Sequence, residues 1–436
     1  MELIDEILRA PNLTQASKEV IRNKGAGGID HMSVNDLEEY LSINRESLIN
    51  QIRNQEYIPQ PIRGKEIPKG NGKFRTLGIP TVVDRMLQQA VLRVIMPHYE
   101  YMFSSYSYGF RPKRNTHQAV AKSLEYINTG YQNIVEIDLK GFFDEVDHVI
   151  LLQILYRKIK CRATMTLIRR WLRVPMEQNG KLVKRRKGVP QGSPISPLLS
   201  NIILHELDEY MEKQGMRFVR YADDFSIYCN TKSGAKLQGN KVYKFLRDKL
   251  KLPINREKSG IRRPINFQIL GYGFVPTYRK GDKGKYQLIV TKKRWKNLKM
   301  KLKEITRKTS PMSFDERIVK INQVTRGWLN YFKYASISQK LAELDGWLRN
   351  RLRYCIWTDW KKPERKRKNL IRLGIPPGQA YAWSRTRMGG WAVAQSPILI
   401  TTITLERLRI RGYISLFSLY QKISVNNYID SLFPMF

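Results

Sequence analysis

The chain is poor in the residues that build covalently or metal-stapled scaffolds. Its 436 residues include three cysteines and five histidines. Cys161, Cys229 and Cys355 lie far apart and match no zinc spacing, and the histidines are scattered. A disulfide framework and a Cys/His metal centre are therefore not expected, which fits a reducing compartment. Long hydrophobic runs are missing as well. The most apolar late stretch, Pro397 to Leu405, is too short to cross a bilayer and is rich in threonine. The amino terminus, Met1-Glu2-Leu3-Ile4-Asp5-Glu6, is acidic and lacks the basic and then apolar order of an export signal. No internal repeat is evident. The expectation is a soluble intracellular protein with no membrane partner.

Negative charge is the other scarcity. Lys and Arg number 78 against 38 Asp and Glu, a formal net charge of +40. Such an excess repels itself and persists where a polyanion is the usual partner. Apolar residues make up 42%. That is enough to bury substantial cores, and the length suggests two to four domains.

With acids so few, their clustering is informative. Tyr221-Ala222-Asp223-Asp224 sits between the apolar runs Phe218-Val219-Arg220 and Phe225-Ser226-Ile227-Tyr228. The pattern reads as strand, tight turn, strand, with two carboxylates at the tip. Alone, such a pair reads as a solvated hairpin tip. A third carboxylate changes the reading: Asp138 ends the alternating stretch Ile134-Val135-Glu136-Ile137. Asp138 could instead be a strand-end or helix-capping residue, but Asp144 and Asp147 suit capping better. Asp147 directly precedes the apolar-periodic stretch Val149 to Ile159. If strand 134–139 lies beside the 218–228 hairpin, Asp138, Asp223 and Asp224 converge at one sheet edge. Neighbouring carboxylates are costly unless a cation sits between them, and hard divalent ions take oxygen ligands. The cluster suits two Mg²⁺ ions about 3.5–4 Å apart, the arrangement for in-line phosphoryl transfer.

Residues 1 to about 280 alternate strand-like and helix-like patterns with Gly and Pro punctuation. From about 285 the pattern becomes helical. Phe314, Ile318, Ile321, Val324, Trp328, Tyr331 and Phe332 recur at helical spacing, as do Leu341, Leu344, Leu348 and Cys355. The aromatic stripe reads as core; Lys320, Arg326, Arg349, Arg351 and Arg353 on the other faces suit a phosphate backbone. Lys361 to Lys368, dense in charge around Pro363, reads as a linker.

Seven blocks then occur in a recognisable order. They are Ile67-Pro68-Lys69-Gly70-Asn71-Gly72-Lys73-Phe74-Arg75 running on to Asp84-Arg85, Ser107-Tyr108-Gly109-Phe110-Arg111-Pro112, and the Asp138 block. Next come Gly188-Val189-Pro190-Gln191-Gly192-Ser193-Pro194, Tyr221-Ala222-Asp223-Asp224, Asn255-Arg256-Glu257-Lys258-Ser259, and Leu270-Gly271-Tyr272. In these the chain resembles a group II intron reverse transcriptase, or intron maturase, over essentially its whole length. It looks most like the compact kind without an endonuclease, the group IIC class, since no paired cysteines or His-Asn-His pattern follow.

The resemblance implies an α+β right-hand polymerase of fingers, palm and helical thumb, with a small C-terminal region. Expected boundaries are 1–90 for an amino-terminal extension and fingers, 91–283 for the fingers and palm core, 284–366 for the thumb or maturase region, and 367–436 for a small basic DNA-binding region. It implies an RNA-directed DNA polymerase in which Asp138, Asp223 and Asp224 hold two Mg²⁺ for attack of a primer 3′-hydroxyl on a dNTP. Lys69 and Arg75 would contact the triphosphate, Phe143 would exclude a ribose 2′-hydroxyl, Gln191 would position nucleotide or template, and Lys258 would lie near the pyrophosphate. Nucleic acid would be held by Lys24 in the Gly25–Gly28 loop and by Arg111, Arg326, Arg349, Arg351 and Arg353. Implied partners are structured intron RNA, an RNA template with a DNA or RNA primer, a DNA target and dNTPs, in a bacterial cytoplasm or nucleoid. Two rival readings remain: a related enzyme serving DNA repair or phage defence, and an RNA-binding splicing cofactor without polymerase activity.

Overall fold

A computed structural model describes residues 2–70, 72–278 and 284–423. The chain divides once, into a unit of Met1–Arg263 and a unit of Pro264–Phe436. The division falls about twenty residues before the expected palm–thumb boundary at 283/284.

The first unit opens with the helices Leu3–Ile7, Ala10–Arg22 and Leu37–Arg53. A hairpin follows, β1 (Ile62–Gly70) and β2 (Lys73–Ile79), then the helices Val82–Glu100 and Thr116–Asn128. β3 (Asn133–Ile137) leads through short helices to β4 (Met176–Gln178) and β5 (Lys181–Val183). The long helix Ser196–Lys213, β6 (Arg217–Tyr221), β7 (Asp224–Cys229), the helix Lys232–Asp248 and β8 (Gly260–Arg262) complete it. Two four-stranded sheets result, ordered β2-β1-β4-β5 and β6-β7-β3-β8.

The second sheet carries the acids. β7 is buried from Phe225 to Cys229 instead of alternating, because helices cover both of its faces. Tyr228 points to the helix Thr116–Asn128, its hydroxyl donating to Ser123 Oγ at 2.7 Å, while Cys229 Sγ meets Gln238 Oε1 of the helix Lys232–Asp248 at 3.0 Å. The helix Val82–Glu100 runs through the main core and starts at a polar knot. Its cap, Thr81, accepts from Asp84 N, and the buried Asp84 carboxylate accepts from Tyr57 Oη and Trp171 Nε1, both at 2.9 Å. Burial raises the Asp84 pKa, while the bonds from Trp171, Thr81 and Tyr57 oppose that rise. Asp147 caps the helix His148–Tyr156, accepting from Val149 N and Ile150 N.

Apart from the short 3-10 helix Pro264–Asn266, the second unit does not begin with helices. β9 (Gln268–Ile269), β10 (Tyr272–Pro276) and β11 (Tyr286–Val290) form a sheet ordered β11-β10-β9 before the helix Lys292–Ile305 starts. The expectation of helix from about 285 therefore fails over β11, where Leu288 and Val290 turn inward at strand period. The helices Phe314–Tyr331 and Ser338–Asp359 follow. The aromatic stripe is largely core as expected: Phe314 and Phe332 are buried, and Trp295 and Trp328 rings lie 4.8 Å apart.

Lys361 to Lys368 is not a linker. Pro363 occupies the first turn of a helix, Pro363–Arg372, whose Leu370 is buried. Proline is tolerated there because the first turn's N–H groups have no helical partner. Nor does the chain divide at 366/367. Buried Asp345 accepts from Tyr413 Oη at 2.7 Å, Leu416 N at 2.9 Å and Ser415 Oγ at 3.1 Å, tying the late segment to the helix Ser338–Asp359.

Candidate active site

Antiparallel pairing of β3 with β7 places Ile137 opposite Phe225, so Asp138 leaves its strand beside the β6–β7 turn. Tyr221 pairs with Asp224 to close that turn, with Ala222 and Asp223 at its tip. The sheet edge brings the carboxylates together as the sequence suggested. Asp138 and Asp223 line a cleft of about 760 Å³, together with Arg75, Phe143, Gln191 and Lys258.

The carboxylates sense one another. Although solvent reaches Asp224, its pKa is raised from 3.8 to about 6, first by burial, then by the charges of Asp223, Asp138 and Glu136; Lys258 works the other way. Lys258 Nζ lies 3.5 Å from Asp138 Oδ2. The segment carrying Lys258 also fixes Asp138 through its backbone. Ser259 Oγ accepts from Asp138 N at 3.0 Å, and Asn255 N donates to Asp138 O at 2.8 Å.

Among the described residues, no group of three or more His, Cys, Asp or Glu side chains stands ready to hold a metal ion. The donor chemistry nonetheless suits a hard cation. The carboxylates offer oxygen ligands only, and their mutual repulsion, visible at Asp224, is what a divalent ion relieves.

The turn itself is held from below by residues that the sequence reading missed. Ala222 has φ +57°, a left-handed backbone that costs a non-glycine residue about 1–2 kcal/mol. Arg220, fully buried, donates through Nη1 to Ala222 O at 2.9 Å and to Asn201 Oδ1 at 3.0 Å. Its Nε and Nη2 form a two-pronged pair with buried Asp208, at 2.8 and 2.6 Å. Asn201 Nδ2 in turn donates to Gly109 O at 2.9 Å. A Cβ at Gly109 would lie 2.2 Å from Ala222 N, so the Ser107–Phe110 block passes directly against the β6–β7 turn. The available signal was an arginine at an inward-facing position of an apolar strand.

The other expected residues fall into three groups. Arg75, Phe143, Gln191 and Lys258 share the cleft. Phe142 is core while Phe143, next in sequence, is half-buried. Gln191 is placed by its backbone, whose carbonyl accepts from Gly78 N at 2.6 Å. Lys24 and Arg326 are exposed. The loop after Lys24 is pinned by Arg85, whose Nη2 donates to Ala26 O at 2.7 Å. The side chain of Lys69 lies outside the described residues.

Two arginines are corrections. Arg111 is buried, with its Nη2 2.9 Å from Glu100 Oε1 and its Nη1 2.8 Å from Ser107 O, so it braces its own loop rather than facing nucleic acid. Arg353 is likewise buried, with Nε donating to Ile403 O at 3.0 Å and Nη1 to Asn350 Oδ1 at 2.7 Å. Arg351 donates to Thr306 O and Oγ1, and Arg349 Nε lies 3.8 Å from Asp345 Oδ2; both are half-buried.

Comparisons with known proteins give the family. Residues 67–274 match the family Reverse transcriptase (RNA-dependent DNA polymerase), and residues 295–374 match Group II intron, maturase-specific domain. Protein YkfC of Escherichia coli (strain K12) is 32% identical over 57% of this chain and 76% of that protein. Group II intron-encoded protein LtrA of Lactococcus lactis subsp. cremoris is 37% identical over 49% of this chain but only 36% of that protein. A solved chain titled "Partial Cas6-RT-Cas1--Cas2 complex" matches 57% of this chain and 43% of its own length, at 27% identity and a TM-score of 0.37. The chain belongs to the reverse transcriptase family of group II intron-encoded proteins, with an RNA-dependent DNA polymerase domain followed by a maturase-specific domain.

Proposed function

We propose that the protein extends a primer 3′-hydroxyl on an RNA template through the cleft at Asp138 and Asp223, and that its second unit binds structured intron RNA as a splicing maturase. The observation that carries the polymerase reading is the meeting of Asp138 and Asp223 with Arg75, Phe143, Gln191 and Lys258 around one cleft, with Asp224 close enough to feel both charges. Two Mg²⁺ ions bound by Asp138, Asp223 and Asp224 would supply Lewis-acid activation of the reacting oxygens.

The rest falls to the chain's own residues. Attack of the primer oxygen on the α-phosphorus forms one P–O bond and breaks another, pyrophosphate leaving with the electron pair and the hydroxyl proton passing to solvent. Arg75 offers positive charge to the triphosphate. Phe143 presents the edge of a fixed ring to the sugar and crowds a 2′-hydroxyl. Lys258, poised beside Asp138, neutralises charge on that side of the cleft. The buried Arg220–Asp208 pair keeps the Ala222 turn in the conformation that aims Asp223 at the cleft.

Maturase activity is carried by the exposed cations of the second unit, among them Lys320 and Arg326, acting on phosphates and shape. DNA-target recognition and retrohoming extend the same reading. Primer extension on an RNA template with Mg²⁺ and dNTPs tests the polymerase: wild type makes cDNA and Asp223→Ala makes none. No cDNA from wild type removes the polymerase reading. Sequencing the RNA that co-purifies from native cells tests the maturase: one structured RNA enclosing this reading frame is expected, and a diverse population would refute it.

A further inference from the structure

β5 leads into four consecutive cations, Lys184-Arg185-Arg186-Lys187, which the roles above leave unused. Lys184, Arg186 and Lys187 are exposed. Arg185 turns inward and lines the cleft with Phe143, Asp144, Gln178 and Val183. Its Nη1 is buried and has no hydrogen-bond partner. Burial depresses its pKa, and the charge of Asp144 opposes that effect. A guanidinium stays protonated in proteins, so the cleft wall holds a cation with an unmet donor.

Local contacts fix the chain that follows Arg185. Lys187 Nζ lies 2.5 Å from Glu145 Oε2, Gly188 N donates to Val146 O at 2.7 Å, and Val189 N donates to Phe143 O at 2.7 Å. His148 Nε2 adds a contact of 2.7 Å to Gly188 O. Gly188 has φ +86°, and a Cβ there would lie 2.8 Å from the carbonyl oxygens of Phe143 and Asp144. The segment is thus docked against the turn that carries Phe143, which sets the Arg185 backbone at the cleft wall.

We infer that Arg185 is a phosphate-binding residue of the polymerase cleft, its open donor meeting a non-bridging phosphate oxygen of bound substrate. The planar fork of a guanidinium matches phosphate better than it matches a lone carbonyl. The exposed cations on either side make the same segment a rim for a polyanion. Two sources share this chemistry, a phosphodiester of the template strand and the triphosphate of the incoming nucleotide. The inference rests on the polymerase reading above.

The test uses the full-length protein and the variants Arg185→Gln and Arg185→Lys. Primer–template affinity is measured without nucleotide across a salt series, and the dNTP KM is then measured with primer–template saturating. A roughly tenfold loss in one arm for Arg185→Gln, partly restored in Arg185→Lys, is expected from one charged hydrogen bond. Weaker primer–template binding, with a salt slope smaller by about one, identifies the phosphodiester. A raised dNTP KM with unchanged binding identifies the triphosphate. If both arms stay within about twofold of wild type, whatever happens to the melting temperature, Arg185 is only a feature of folding and the inference is wrong. The binding arm needs no catalysis, so a wild type that makes no cDNA sinks the polymerase reading while still reporting on Arg185.

Discussion

Replacing Asp224 by Asn removes one of three carboxylates that repel one another in the metal-free protein. The Asp224 pKa rises from 3.8 to about 6 on folding. At 1.36 kcal/mol per unit, that shift corresponds to about 3 kcal/mol of destabilisation of the charged form. Solvent reaches the side chain and screens it, so about 1 kcal/mol is the expected net effect. The sign follows from proton binding. The folded state holds more protons between pH 3.8 and about 6, so the contribution of this group to stability falls as pH rises through that window. Below it both states are protonated and the penalty vanishes. In EDTA near neutral pH, Asp224→Asn therefore melts higher than wild type, by about 2–4 °C for a unit of this size. The gain disappears as the pH is lowered toward about 4. Mg²⁺ should stabilise wild type more than the variant, narrowing or reversing the order, while cDNA synthesis by the variant is lost. Thermal melts with and without Mg²⁺ across pH read all of this. A variant that melts below wild type in EDTA, or a difference that does not change with pH, refutes the reasoning.

The other expectations concern the frame of the site and the arginines. Arg220→Met leaves Asp208 as a buried unpaired charge and should cost about 3–5 kcal/mol, read by urea unfolding, with Arg220→Met/Asp208→Leu recovering stability but not full polymerase activity. Phe143→Ala should raise ribonucleotide incorporation relative to deoxynucleotide at little cost in stability, read by primer extension with each nucleotide alone. Arg326→Ala should lower the salt slope of RNA binding by about one and leave the melting temperature unchanged. Arg353→Ala should do the reverse, because its guanidinium is committed to Ile403 O and Asn350 Oδ1.

The catalytic face was legible in the sequence because period and punctuation both act locally. Alternation brings Asp138 to the end of its strand, and a two-residue turn between apolar runs presents Asp223. Register between β3 and β7 is a long-range property, and it is their antiparallel pairing, Ile137 opposite Phe225, that brings the acids to one edge. The boundaries were less legible. β11 was missed because a strand of five residues has the same apolar content as one helical turn and a half, and only pairing with β10 decides it. Lys361 to Lys368 was misread because proline marks a helix start as well as a break.

The arginines show where sequence reasoning fails in kind. In a chain with a net charge of +40, a basic residue suggests nucleic acid. Four of them instead turn inward to satisfy backbone carbonyls. Arg111 serves Ser104 and Ser107, Arg220 serves Ala222, Arg317 serves Ile305, Arg307 and Ser310, and Arg353 serves Ile403. Most of these carbonyls lie in turns, bends or at a helix end, where regular structure leaves acceptor capacity unused. A guanidinium, with five donors in one plane, can answer several at once. Arg185 differs from them in place: its buried Nη1, like the Nε of Arg317, meets no acceptor, but it lies on the wall of the cleft that holds Asp138 and Asp223. An inward arginine that answers carbonyls away from the cleft serves the fold, whereas an open donor on the cleft wall is placed to meet what the cleft binds.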